Sequence, residues 1–249
     1  MKVKIQVPTS LSEITLEQYQ KFNKINTEEN QNTNFILHKT VEIFCGLDLK
    51  DIAKIKVHSV KSVIKDIDNV FSEKPDLIPT FKLKGKEYGF IPKLDDISLG
   101  EYIDLDDSLT DWETMHKAMS VLYRPVTMRK GDKYLIEEYD GTDDAESMKQ
   151  MRLDVVMGSI VFFLQFKQRI TANYPELFEQ GSTQSDEHFT TSNFGKKWGW
   201  YQSIYGLAKG DVTKFDDITK MNMHSCFVYL AFEKEKVELE KQQIKRYRK

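Results

Sequence analysis

The sequence predicts a mainly α-helical protein with small β-hairpins, built from a duplicated helical unit plus a C-terminal helical arm. Three observations carry this reading. A phrase is written twice: Leu11-Ser-Glu-Ile-Thr-Leu-Glu-Gln-Tyr19 and Leu94-Asp-Asp-Ile-Ser-Leu-Gly-Glu-Tyr102 share Leu, Ile, Leu and Tyr at one spacing, each after an apolar–Pro pair, Val7-Pro8 and Ile91-Pro92. A second shared phrase follows each copy, Leu37-His38-Lys39-Thr40-Val41 and Met115-His116-Lys117-Ala118-Met119. Finally, Val60, Val63, Ile64, Ile67, Val70 and Phe71 recur at the spacing of one helix face, with Lys61, Lys65 and Asp68 opposite.

Taken in order, residues 2–7 alternate like a strand that Pro8 stops. Thr15 is placed to cap a helix over 16–25, because its side-chain oxygen can satisfy an open N–H of the first turn. A polar loop, 26–34, leads to a helix over 35–45 with Leu37, Val41 and Phe44 on one face; Gly46 supplies the left-handed stop. Asp48 is placed to cap a short helix through Ile52 and Ile55. The amphipathic helix 60–71 follows, ended by Pro75 and Pro79. Residues 80–91 read as a hairpin turning at Lys84-Gly85-Lys86, with Tyr88 and Phe90 on the return strand.

After the second phrase, a helix over 111–122 carries Met115, Met119 and Leu122, and Pro125 ends it. Residues 126–139 suggest a hairpin or extended arm turning at Lys130-Gly131-Asp132, and 137–146 an acidic, polar loop. A long helix over 147–173 places Met151, Leu153, Val156, Ile160 and Phe163 at the spacing of Ile55, Val57, Val60, Ile64 and Ile67, so the repeat extends to a third helix. Residues 179–193 read as a polar linker. Residues 215–221 faintly echo the opening phrase, and a final helix spans about 219–247. The expected divisions are 1–79 (first copy), 80–178 (second copy with hairpin insertions) and 179–249 (polar loop and arm).

Composition narrows the function classes. The chain has 249 residues, 40% apolar and 30% charged, with a net charge of −3, so no global charge draws it to nucleic acid or membrane. Cys45 and Cys226 both lie in apolar runs and read as reduced core residues of a reducing compartment. The N-terminus lacks the apolar core of a secretory signal. The run Val155–Phe166 is shorter than the ~20 residues a bilayer requires. A soluble protein is expected, with no membrane partner.

Chemistry-bearing motifs are missing. His38, His58, His116, His188 and His224 have no ligand spacing, and His38 and His116 read as helix-surface or capping residues. Asp104, Asp106 and Ser108 open like a calcium loop, but Leu109 and Met115 stand where Gly and Glu are required. Asp140, Asp143, Asp144 and Glu146 read as a solvated acidic loop. Gly195-Lys196-Lys197 lacks the flanking residues of a P-loop. The reading is no enzyme, no metal and no cofactor.

Two features point to contacts instead. From Lys241 onward Lys241, Lys245, Arg246, Arg248 and Lys249 occur with no acid, which suits a helix C-terminus or docking to nucleic acid or an acidic groove. Trp198, Trp200 and Tyr201 suit core packing, an interface core or stacking on bases. With the hairpin aromatics Tyr88, Phe90 and Tyr134, the residues Trp198, Trp200, Tyr201, Lys241, Lys245, Arg246 and Arg248 form the candidate interface set.

The order of several motifs carries a resemblance. Val7-Pro8…Ile14-Thr15-Leu16…Tyr19 looks like the openings of small tailed-phage proteins. Phe44-Cys45-Gly46-Leu47…Ile52…Ile55…Val60…Phe71 is similar to a block of tail assembly chaperones. Tyr88-Gly89-Phe90-Ile91-Pro92, Gly100-Glu101-Tyr102-Ile103-Asp104-Leu105, His116-Lys117, Tyr123-Arg124-Pro125, Tyr139-Asp140-Gly141 and Phe162-Phe163 resemble structural-gene proteins of phages of Bacteroidota, including crAss-like phages. The likeness spans about 3–170. It implies a non-enzymatic virion protein made in the host cytoplasm, a ring-forming neck or tail subunit at the head-to-tail connection. Its partners would be copies of itself and portal or other neck or tail proteins. The alternatives are a tail assembly chaperone that binds unassembled tail protein and a nucleic-acid-binding accessory protein. No cofactor and no catalytic residue is implied.

Overall fold

The computed structural model describes residues 5–31, 33–142, 145–178 and 188–247, the side chains of 188–197 excepted. The chain is mostly helical with one small antiparallel sheet, the class the sequence predicts. The helices are α1 (Leu16–Ile25), α2 (Asn34–Cys45), α3 (Leu49–Ile52), α4 (Val57–Phe71), α5 (Leu99–Ser108), α6 (Met115–Leu122), α7 (Leu153–Asn173), α8 (Pro175–Phe178), α9 (His188–Leu207), α10 (Phe215–Lys220) and α11 (Met223–Tyr247). The strands are β1 (Thr80–Leu83), β2 (Lys86–Phe90), β3 (Tyr123–Lys130) and β4 (Lys133–Ile136), in spatial order β1-β2-β3-β4. Two compact units form: residues 1–92 with 107–162, and residues 93–106 with 163–249. These bounds interleave along the chain and do not follow the divisions at 79 and 178.

The first unit opens with Leu11–Glu13 in a 3-10 turn and Thr15 in an extended conformation. The Thr15 hydroxyl accepts the Gln18 N–H, and the Gln18 side chain accepts the Thr15 N–H, so two open donors of α1 are satisfied together. Gly46, at φ 66°, ends α2 as expected. Asp48 precedes α3 but its side chain makes no cap bond there. Val41, Ile52 and Val60 form one buried cluster of α2–α4, with Leu37, Cys45 and Ile64 packed on it. Tyr19, Phe22, Phe44, Phe71 and Trp112 form a second, aromatic cluster, with Tyr19 and Trp112 ring centres 4.4 Å apart and Phe22 stacked on Phe71.

Several boundaries differ from the sequence reading. Residues 5–7 are coil, and the rest of the expected strand lies outside the described residues. Pro125 does not end α6: the helix stops at Leu122, and Pro125 sits inside β3 opposite Tyr88. The two expected hairpins are one sheet, joined by β2–β3 pairing of Tyr88, Gly89 and Phe90 with Pro125, Arg124 and Tyr123. The helix expected from 147 starts at Leu153, after a 3-10 turn over Ala145–Gln150. Part of the expected linker, 188–193, is the start of α9, and the remainder lies outside the described residues. His116 is buried and not on a surface, with Gln20 Nε2 3.4 Å from its Nδ1 and Glu146 Oε1 3.4 Å from its Nε2.

The repeated phrase has four copies in space. Thr15 pairs with Arg152 as an isolated antiparallel bridge: the Leu16 N–H donates to Met151 O and the Leu153 N–H to Ile14 O, both at 2.8 Å. In the second unit Ser98 pairs with Asn222 in the same way, the Leu99 N–H donating to Met221 O (2.8 Å) and the Met223 N–H to Ile97 O (3.0 Å). The four segments read apolar-x-x-apolar-polar-apolar: Leu11/Ile14/Leu16, Leu94/Ile97/Leu99, Met148/Met151/Leu153 and Ile218/Met221/Met223. Each closes a short helical turn, pairs through its polar residue and then starts a helix, α1, α5, α7 or α11. Ser98 and Glu101 repeat the Thr15–Gln18 cap, and Asn222 Oδ1 accepts the Ser225 N–H. The faint echo at 215–221 thus belongs to a structural copy that runs over 218–223.

In the second unit Phe227 is ringed by Tyr102, Tyr174, Phe178 and Trp200, with ring centres 5.2 to 5.9 Å away. The Tyr102 hydroxyl is fully buried there and has no hydrogen-bond partner among the described residues; burial pushes its ionisation well above the usual tyrosine range. A buried hydroxyl without a partner costs about 1–3 kcal/mol. Tyr102→Phe is therefore expected to raise stability by about 1 kcal/mol, read as a higher denaturant midpoint at unchanged slope. A loss of 1 kcal/mol or more would show that the hydroxyl is bonded in solution.

Candidate functional site

The expected contact residues fall into three groups that differ in what they leave free. On the sheet, Phe90 is a core residue, 3% exposed, with Tyr123 and Phe162 edge-on at 5.2 and 5.6 Å. The expectation that it faces a partner is therefore corrected: β2–β3 pairing turns its side chain inward. Tyr88 is half-buried and stacks on Phe81. Tyr134 crosses from β4 over Gly89, where a Cβ would lie 2.7 Å from the Tyr134 ring carbon Cδ2. Its hydroxyl donates to Phe90 O at 2.8 Å. That arrangement holds the sheet's outer strand to β2 without passing through β3, so Tyr134 is already engaged within the unit.

The aromatic segment divides at Gly199. That residue breaks α9 with φ 38°, a conformation that glycine adopts without a Cβ penalty. Trp200, after the break, is half-buried against Tyr102 and Phe227, and its indole N–H donates to Asp106 at 3.1 Å. Lys167 pairs with the other oxygen of the same carboxylate. Trp200 is thus packed within its unit. Trp198 and Tyr201 are more than a third exposed and pack on each other with tilted rings, centres 5.4 Å apart, and Tyr201 also meets Phe215.

The arm is the third group. α11 has 25 residues, and only its first turns are buried, through Met223, Cys226 and Phe227. Lys234 reaches the Glu176 carbonyl on α8. Beyond it the helix is exposed to its end, including Lys241, Lys245 and Arg246; Arg248 lies outside the described residues. Large apolar side chains remain in water along the whole length: Val228, Phe232, Val237, Leu239 and Ile244 are each 42 to 59% exposed. Phe232, Glu235, Lys236, Glu238, Leu239 and Gln242 line an open groove on this helix.

The candidate set took the basic end of the arm; Phe232, Val237, Leu239 and Ile244 read in the sequence only as the thinning apolar face of a projecting arm that packs on a partner. Phe232 and Leu239 occur at seven-residue spacing in an otherwise charged stretch. Among the described residues, no group of three or more His, Cys, Asp or Glu side chains could hold a metal ion. No described helix is long and apolar enough to cross a membrane. No family model matches the chain, and neither a curated protein nor a solved structure is found to be similar to it.

Proposed function

We propose that the chain is a non-enzymatic structural protein of a tailed-phage virion, a ring-forming subunit of the neck or tail at the head-to-tail connection. The observation that carries the assembly role is the arm. A charged helix does not hold five large apolar side chains about half exposed for its own stability, since each forfeits roughly half of the ~1.5–3 kcal/mol that full burial contributes. Partner surfaces of the same kind recover that energy. The phage assignment rests on the ordered motifs between residues 3 and 170. The partners are further copies of the chain and portal or other neck or tail proteins.

The role predicts a stoichiometric band of this protein in purified particles. Presence in infected cells with absence from particles would instead support the tail assembly chaperone. The exposed cations Lys241, Lys245 and Arg246 favour one second reading, a nucleic-acid-binding accessory protein. It predicts DNA binding that weakens steeply with salt and is lost on deleting 241–249; no binding at low salt removes it.

A further inference from the structure

We propose that the turn end of the sheet binds a nucleic-acid phosphate backbone. The surface lies in the first unit, away from the arm, and goes beyond the structural role. Strand register places it. Leu83 pairs with Lys86 across the first turn, and Lys130 with Lys133 across the second. β2 and β3 run antiparallel with Phe90 opposite Tyr123, so both turns lie at the other end of the sheet. Neighbouring strands are ~4.8 Å apart, so the four present a row of ~15 Å. Residues 82–87 and 129–133 hold Lys82, Lys84, Lys86, Arg129, Lys130 and Lys133 against Glu87 and Asp132, a net +4. The chain as a whole carries −3, which leaves −7 for the rest.

All six cations are exposed. Arg129 pairs with Glu87. The five lysines make no ion pair with any described residue, whereas Lys21, Lys39, Lys93 and Lys149 each hold an acid three or four residues away. Lys130 and Lys133 stand directly opposite each other across β3 and β4. Like charges so placed destabilise a hairpin. A pair kept against that cost, with no acid bonded to it, suits a surface whose countercharge comes from outside. Side chains alternate along a strand, and Tyr134 lies over Gly89 on the opposite face, so Lys86, Lys130 and Lys133 share one face. A duplex carries one negative charge per ~1.7 Å of its axis, a line of anions that such a row can follow. An anionic lipid surface is the chief rival, because Met128 and Leu135, 64% and 58% exposed, lie on the same face as the lysines. They stand two places behind the turn. They could enter a bilayer only after Gly131 and Asp132, whereas the lysines meet a phosphate backbone where they are.

The test titrates a short mixed-sequence DNA duplex with the full chain at rising salt. The unaltered chain is expected to bind with an affinity that falls steeply as salt rises. The triple variant Lys86→Gln, Lys130→Gln, Lys133→Gln is expected to bind about tenfold or more weakly, with the salt slope lowered by about 3. Its denaturant midpoint is expected to be no lower, since the like-charge pair is gone. Lys50→Gln, Lys61→Gln, Lys65→Gln makes the same change of net charge at three exposed positions of α3 and α4 and is expected to bind as the unaltered chain does. Deleting 241–249 is expected to leave the binding in place, which separates this surface from the basic end of the arm. No binding at low salt overturns the proposal, as do equal losses in the two triple variants. Loss on deleting 241–249 with the sheet variant unchanged also overturns it, as does tighter binding to phosphatidylserine vesicles or to polyglutamate than to the duplex. The particle assay is read separately: a protein present in particles that binds no DNA sinks this surface and leaves the structural role standing.

Discussion

Gly158→Ala is expected to destabilise the first unit by about 3 kcal/mol, one of the largest effects available to a single added methyl group. Gly158 lies in α7, where the segment after α4 crosses the helix. A Cβ at Gly158 would fall on the carbonyl oxygen of Asp76, 2.9 Å from its carbonyl carbon and 3.3 Å from the Leu77 nitrogen. All three are backbone atoms, so no rotamer change relieves the overlap. Either the segment lifts off the helix or α7 shifts, and Tyr123, whose hydroxyl donates to Ile78 O at 2.8 Å, is disturbed with it. Gly206 is the control, because nothing lies within 4 Å of its added Cβ. Gly206→Ala, near the end of α9, is expected to be neutral or stabilising by up to ~1 kcal/mol. Denaturant unfolding of the two variants checks this. Equal midpoints would mean that the 76–77 segment does not rest on α7 in solution.

The second large effect concerns the repeated phrase. Leu16→Ala and Leu99→Ala each remove a fully buried side chain at equivalent places, and each is expected to cost about 2–5 kcal/mol. Their reach differs. Leu16 adjoins the bridge of Thr15 with Arg152, and Leu99 that of Ser98 with Asn222. Hydrogen exchange separates them: Leu16→Ala is expected to speed exchange at the Leu153 N–H and spare the Met223 N–H, and Leu99→Ala the reverse. Loss of protection at both amides in either variant would show that the two bridges melt as one.

The fold class was readable because local chemistry wrote it. Thr15 with Gln18, Gly46 at the end of α2 and Gly85 at a tight turn each act within four residues, and each does in the structure what its type predicts. What the sequence concealed was long-range. Met148, Met151 and Leu153 continue a helical spacing into α7, so the period gives no sign that Arg152 leaves the helix to pair with Thr15. Methionine in place of Leu and Ile, and Arg in place of Thr, hid the third copy of the phrase. Pro125 read as a helix stop because its missing N–H is a local fact, whereas its place in β3 depends on partners decades of residues away. The candidate contacts divided for the same reason. Aromatic character marked Phe90 and Trp200, but packing decided that they face inward, while the exposure of Phe232 and Leu239 follows from α11 leaving its unit's core after the first turns.

The crossed pairing of the phrases also sets an order of events during synthesis. Thr15 waits for Arg152, and Ser98, made in between, waits for Asn222. The phrase at 94–99 therefore emerges from the ribosome before the first unit can close, and stays without its mate until Met223 has been made. Contacts so distant in sequence form slowly. For that interval Ile97 and Leu99 are apolar surface in search of a partner, and a nascent chain halted before Met223 would keep them so, open to capture by any neighbouring copy that carries the same phrase.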